Sequence, residues 1–438
     1  MKILVFVSAF LLFALIPLKS ESAVWTPVNE WSQTWEDRYS DWVRDNWQVD
    51  FFSRKLLPHG QSNPYYGLRV DCADTVYSMR VVFAFENKLP FVMQDPSASG
   101  KTISHVMSRW DSQSEQQRIR NFLNYVYDVA STRSLPNDTY PVAISRDVIR
   151  SGALIMTTKT NHHSWTLKEM LPIGVPHLVF NSVVGAYSGF GLQQRQSWPH
   201  AEWVFEGDFT PAGNAGFRTW RPQAYLNRPV WEVPGYSEEQ YKIPLSKWEK
   251  TLQARLALRQ ETDTQQVTRL IQTACEAYRT RVPSINEALQ YISKNSGCMD
   301  YATYDTYSTP NRDHRLFDDL MSLRRSYRDI QADNGGRRLT PELLAQLNKI
   351  FPAISSSARS ENAQMAAQEV TANSVCVIEY RAGKKMDLAE FKRRIFAGLI
   401  SNNPHETAEY RWGERRGPSQ RAMSCQSWDA WSPDLTNQ

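Results

Sequence analysis

Five cysteines, at positions 72, 275, 298, 376 and 425, constrain this 438-residue chain more than any other feature. Cys275, Cys298, Cys376 and Cys425 all fall in the last two-fifths of the sequence. In an oxidising compartment they can close two disulfides, in any of three connectivities, and so staple the C-terminal part. Cys72 is then alone in the N-terminal part. An odd thiol in such a chain is either a buried structural residue or a reactive one.

The start of the chain supplies the compartment. Met1-Lys2, an apolar run from Ile3 to Leu18, Lys19 and the small-residue stretch Ser20-Glu21-Ser22-Ala23 follow the order of a secretory signal peptide. The expectation is an exported protein, periplasmic or secreted, with a mature chain beginning near Val24. The apolar run is short for a bilayer span and no later stretch is longer, so no membrane span is expected after signal removal. Basic residues number 50 and acidic residues 46, with no dense basic block, which argues against nucleic acid as a partner. Nothing in the sequence sets an oligomeric state.

Residues 24–245 read as one unit. Trp31, Trp35 and Trp42, spaced by four and seven, share a helix face, and core packing explains such a stripe better than a glycan platform. Pro58–Gly67 reads as a loop. Asp71–Lys88 reads as a buried helix, with Asp71 as N-cap and Pro90 just past its end. Ser114–Ser131 predicts a second, amphipathic helix. Ala153–Thr158, His162–Met170 and Pro176–Val184 predict strands separated by turn formers. Residues 185–245, dense in Gly, Pro and aromatics, read as a long excursion over the core. Beyond Ser246 the periodicity becomes helical, giving a helical C-terminal unit at 246–402 and a mostly irregular tail at 403–438.

The residues able to do chemistry gather around Cys72. A thiol that opens a helix faces the positive end of the helix dipole and free backbone amides, which favour a thiolate and serve as oxyanion donors. Asp74 opposes this electrostatically while suiting the first helical turn. A thiol nucleophile needs a base, and the base an orienting group. Alternation along the predicted strand puts His163 on one face with Trp165 and Leu167, and His162 on the other with Ser164, Thr166 and Lys168. The first set is the more apolar, so His163 is the expected base and His162 the alternative. Asn181, on the next strand, is the expected partner of the His163 ring.

The segment Tyr65-Tyr66-Gly67-Leu68-Arg69-Val70-Asp71-Cys72-Ala73 resembles the nucleophile motif of the NlpC/P60 cell-wall cysteine peptidases, although Asp74 replaces the usual glycine and the preceding glycine-rich stretch is reduced to Gly67. Asp71-Cys72-Ala73-Asp74 and His163-Ser164-Trp165 are also similar to motifs of bacterial transglutaminase-like cysteine proteinases, with Asn181 in place of the usual Asp. The resemblance spans roughly residues 60–185. It implies an α+β papain-like core with an antiparallel sheet, thiol chemistry on a peptide or amide bond, and a peptide or peptidoglycan substrate bordered by Tyr66 and Trp165. A transglutaminase-like acyl transferase and a non-catalytic exported scaffold are the alternatives.

Other signals are weaker. Ser99-Gly100-Lys101-Thr102 lacks the first glycine of a phosphate loop. His162-His163 has neither an HExxH motif nor a close Cys/His cluster, so no metal or cofactor is expected. Glu202, Glu206 and Asp208 offer carboxylates, as any polar loop would.

Overall fold

A computed structural model of the chain describes residues 23–98, 100–157, 162–181, 192–199, 210–211, 214–428 and 430–436. The expected signal peptide therefore lies outside the described residues but for Ala23, as do Ser99, Asn161, Glu202, Glu206 and Asp208.

The N-terminal part places its helices around one antiparallel sheet. A small ribbon of β1 (Val92–Gln94) and β2 (Thr102–Ser104) precedes it. The sheet itself is built from β3 (Thr139–Pro141), β4 (Leu154–Thr157), β5 (His163–Met170), β6 (Pro176–Phe180), β7 (Gln193–Gln196) and β8 (Gly216–Trp220), in the spatial order β3-β8-β4-β5-β6-β7. On one face lie α1 (Gln33–Asn46), α2 (Cys72–Glu86) and α3 (Glu115–Val129). Their core takes in Val76, Met79, Phe122 and Leu123 and meets Leu154, Met156 and Val179 from the sheet. After the one-turn α4 (Leu135–Asp138) and the later strands comes α5 (Leu245–Leu256). Its Trp248, Leu252 and Leu256 cover the other face against Ile155, Trp165, Leu167 and Phe217. Both faces of the sheet are thus dry.

Local sequence accounts for these elements. Asp71 accepts from the amides of Ala73 and Asp74, while the Asp74 carboxyl accepts from the Asp71 amide, a reciprocal capping box that starts α2 where the sequence predicts. The tryptophan stripe packs: Trp35 and Trp42 of α1, and Trp31 just before it, surround Phe83 of α2 with centroids 5.8–6.3 Å away. At the β5–β6 turn Gly174 has φ +73°, and a Cβ there would stand 2.3 Å from the backbone oxygen of Gln253 in α5. Gly174→Ala is therefore expected to cost about 1–3 kcal/mol or more through strain and overpacking, read as a lower urea midpoint.

The C-terminal part is helical, with α6 (Asp263–Lys294), α7 (Tyr301–Tyr307), α8 (Pro310–Asn334), α9 (Pro341–Ile350), α10 (Ala358–Gln364) and α11 (Leu388–Phe396), a ribbon of β9 (Ile378–Arg381) and β10 (Lys384–Met386), and the short α12 (Ala408–Arg411) and α13 (Gln420–Ser424). Its separate core begins at Val267. The expected division at 245/246 falls at the start of α5, which belongs to the sheet's core. Helix α6 continues through Pro283, where sequence alone argues for a break, because Ile285 and Ala288 beyond it are buried. Disulfides join Cys275 to Cys376 and Cys298 to Cys425. The tail is less irregular than expected: Trp412 is fully buried and Cys425 pins the segment to the end of α6. Among the described residues no helix is long and apolar enough to cross a membrane.

Candidate active site

Cys72, the first residue of α2, keeps partial exposure and is the one free cysteine among the described residues. Two backbone carbonyls beside it are gripped from the sheet. Ser164 Oγ donates to the Cys72 carbonyl at 2.9 Å, and Asn181 Nδ2 donates to the Val70 carbonyl at 2.8 Å. Thr166 pairs with Val179 across β5 and β6, and Ser164 and Asn181 lie two residues beyond that pair on their respective segments. His162 stands just before β5. His162 is exposed, and its charge acts on the Asp71 carboxyl.

His163 points the other way. Its ring meets Trp165 edge-on at 4.4 Å and Phe180 at 5.8 Å, both members of the cluster beneath the opposite face. Its Nε2 is sealed from solvent with no hydrogen-bond partner. Burial first, then the charge of Arg315 in α8, hold its pKa well below the ordinary 6.5, so the ring is neutral. The expectation that His163 faces Cys72 is thus corrected by the sheet's second cover: both sets of alternating side chains are buried, and the apolar set with His163 turns toward α5. Trp165 is 2% exposed and cannot line a groove, whereas Tyr66, 43% exposed, can. Asn181 reaches the correct face, but its amide holds the backbone before the thiol rather than the His163 ring.

Electrostatics at the thiol do not favour a resting thiolate. Burial first, then the Asp71 charge, push the Cys72 pKa up to about 12, while the Thr132 hydroxyl, 3.0 Å from Sγ, pulls it down. Asp71 consumes the amides of Ala73 and Asp74, leaving the Cys72 amide as the uncommitted donor at the helix start. Thr132 and Ser164 escaped selection as site residues. Alternation had placed Ser164 on the His162 face, but nothing local marks Thr132, which arrives from the turn after α3. No three His, Cys, Asp or Glu residues among those described form a metal-binding group.

Two predictions arise here. Asn181→Ala removes the bond to the buried Val70 carbonyl and is expected to cost about 1–3 kcal/mol, read by thermal melting. Asp74 is pushed up to about 8, by burial first and then by the Asp71 charge, and its Oδ1 has no partner. Folded Asp74 therefore holds its proton at pH values where the unfolded carboxyl, near 3.8, has lost it. Stability should fall as pH rises through that window, and Asp74→Asn should flatten the fall in urea melts.

No family model matches the chain, and no curated protein or solved structure shows significant similarity to it.

Proposed function

We propose that this is an exported cysteine hydrolase acting on a peptide or amide bond, with Cys72 as nucleophile and His162 as base. One observation carries the reading: the helix start bearing Cys72 is docked on the sheet through Ser164 and Asn181, and exposed His162, just before β5, lies near enough for its charge to act on Asp71. Cys72 Sγ attacks the carbonyl carbon while its proton passes to the His162 imidazole. The tetrahedral adduct collapses, the C–N bond breaks, and the amine leaves with that proton. Water then cleaves the thioester and restores the thiol. The Cys72 amide is the oxyanion donor. Since the resting thiol is protonated, His162 acts as a general base during attack rather than as one half of a standing ion pair. The resemblance to cell-wall peptidases makes peptidoglycan stem peptides the first substrate to assay, and an amine in place of water would make the same residues an acyl transferase. Two disulfides and the leader sequence support export.

A non-catalytic scaffold is favoured by one specific observation, the half-buried thiol bonded to Thr132 with its pKa raised. Alkylation of Cys72 with iodoacetamide across pH separates the readings. The hydrolase predicts a histidine-dependent step in rate near neutral pH that His162→Ala abolishes. A single rise at strongly alkaline pH, identical in wild type and His162→Ala, would establish the scaffold.

A further inference from the structure

Beyond the end of α11 an open pocket of about 410 Å³ lies between the loop 397–403, residues of the segment 406–418, and Ser427, Ala430, Trp431 and Ser432 of the tail. Three charged residues line it: Glu406, Arg415 and Arg416. The acid is already engaged. Glu406 is 3% exposed, both its oxygens accept from the Ser419 amide at 3.1 Å, and its charge acts on the buried Arg411. Arg415 and Arg416 are exposed, and neither guanidinium has a hydrogen bond or ion pair among the described residues.

Nearby acids do not answer these two cations. Glu414 pairs with Arg381 and Lys384, and Glu409 pairs with Arg381. Behind the pocket, Asp313 and Glu406 are the acids that act on Arg411, which itself donates to the carbonyl of the lining residue Asn403. Asp313 is also the partner of Arg281, so the two buried acids are matched by two buried guanidiniums. Arg415 and Arg416 are left as uncompensated positive charge at the pocket, the arrangement that draws an anion. The rest of the wall is built in advance. Asn402 Nδ2 holds the Trp431 carbonyl at 2.7 Å, and the Trp431 ring packs on His314 and Phe317. Tyr410 also lines the pocket, and its hydroxyl has no partner among the described residues. A carboxylate brings one charge and two oxygens, which a single guanidinium fork satisfies, leaving the other arginine unanswered. A phosphate monoester carries about 1.5–2 charges at neutral pH on three acceptor oxygens, enough for both forks and the Tyr410 hydroxyl. Half-buried Leu399, Ile400 and Trp431 then border the body to which the phosphate is esterified.

We propose that this pocket binds a phosphate monoester group, carried by a small molecule or a lipid headgroup, at a site that does not depend on the chemistry of Cys72. The test is calorimetric titration of the whole protein with glycerol 3-phosphate, with glutarate as a dicarboxylate control. A parallel arm measures co-sedimentation with phosphatidylcholine vesicles, with and without phosphatidic acid. Saturable binding of glycerol 3-phosphate, or of the phosphatidic acid vesicles alone, is expected, and the arm that responds identifies the source of the phosphate. Arg415→Ala and Arg416→Ala should each weaken that binding about tenfold or more, and Tyr410→Phe about threefold. Both arginines are exposed, so their variants should melt with the wild type, which separates lost binding from lost folding. Absence of saturable binding in both arms would overturn the proposal. So would binding that survives Arg415→Ala and Arg416→Ala combined, or glutarate binding as tight as that of the phosphate ester.

Discussion

His162→Ala is expected to lower amide hydrolysis by roughly 10²–10⁴-fold, the usual contribution of a positioned general base, while His163→Phe leaves the rate within about twofold. The two histidines are neighbours in sequence but differ in setting, since His163 opens β5 and His162 stands exposed just before it. His162 lies near enough to the helix start for its charge to act on Asp71, whereas His163 is packed against Trp165 and Phe180. Their signatures should therefore separate. His163 is held neutral by burial, so the stability it contributes is present above its ordinary pKa of 6.5 and lost as pH falls below it. His163→Phe keeps an aromatic ring in that position, and acid melts between pH 7 and 5 should flatten. His162→Ala should leave those melts unchanged. Loss of turnover in His163→Phe, with full turnover in His162→Ala, would remove His162 from the mechanism.

Asp313→Ala is expected to cost about 3–5 kcal/mol, the largest effect on stability of any single change argued for this chain. Arg281 in α6 and Asp313 in α8 are each 1% exposed and pair through two hydrogen bonds of 2.8 and 3.0 Å. Arg281 also lies 4.9 Å from the centre of the Trp412 ring. Next to them Arg411 is buried, and its pKa falls to about 9, through burial first and then the charge of Arg281, with Asp313 the opposing influence. Removing Asp313 would leave two guanidinium groups in a dry core with their shared counter-charge gone. For a unit of this size the melting temperature should drop by roughly 6–20 °C, measurable by calorimetry. Asp313→Asn keeps the shape without the charge and should be nearly as damaging. A drop of only a degree or two in both variants would mean that water reaches the pair.

Much of the N-terminal part was legible because its signals are local. Asp71 and Asp74 flank Cys72 at capping-box spacing, and α2 begins there. The alternation matches the structure from His163 to Leu167, but the register shifts between Leu167 and Glu169, and Met170 joins the core of Trp165 and Leu167. The C-terminal helices follow from apolar periodicity, and a pairing for the four late cysteines was foreseen without its connectivity. The strands β7 and β8 inside the excursion at 185–245 were missed, since they are short and their partners lie far away in sequence.

By itself, then, the sequence determined where α2, α3 and the strands β4 to β6 lie, and that one cysteine stands apart from four others. Those properties depend on residues within a few positions of one another. Only the tertiary structure decided which cover each face meets. With α2 on one side of the sheet and α5 on the other, alternation cannot tell the face of the thiol from the face of the second core, because burial selects apolar neighbours on both. The positions of Thr132 beside the sulfur, of Asn181 on the Val70 carbonyl and of Arg281 against Asp313 likewise arise from contacts between distant segments, for which no local pattern exists.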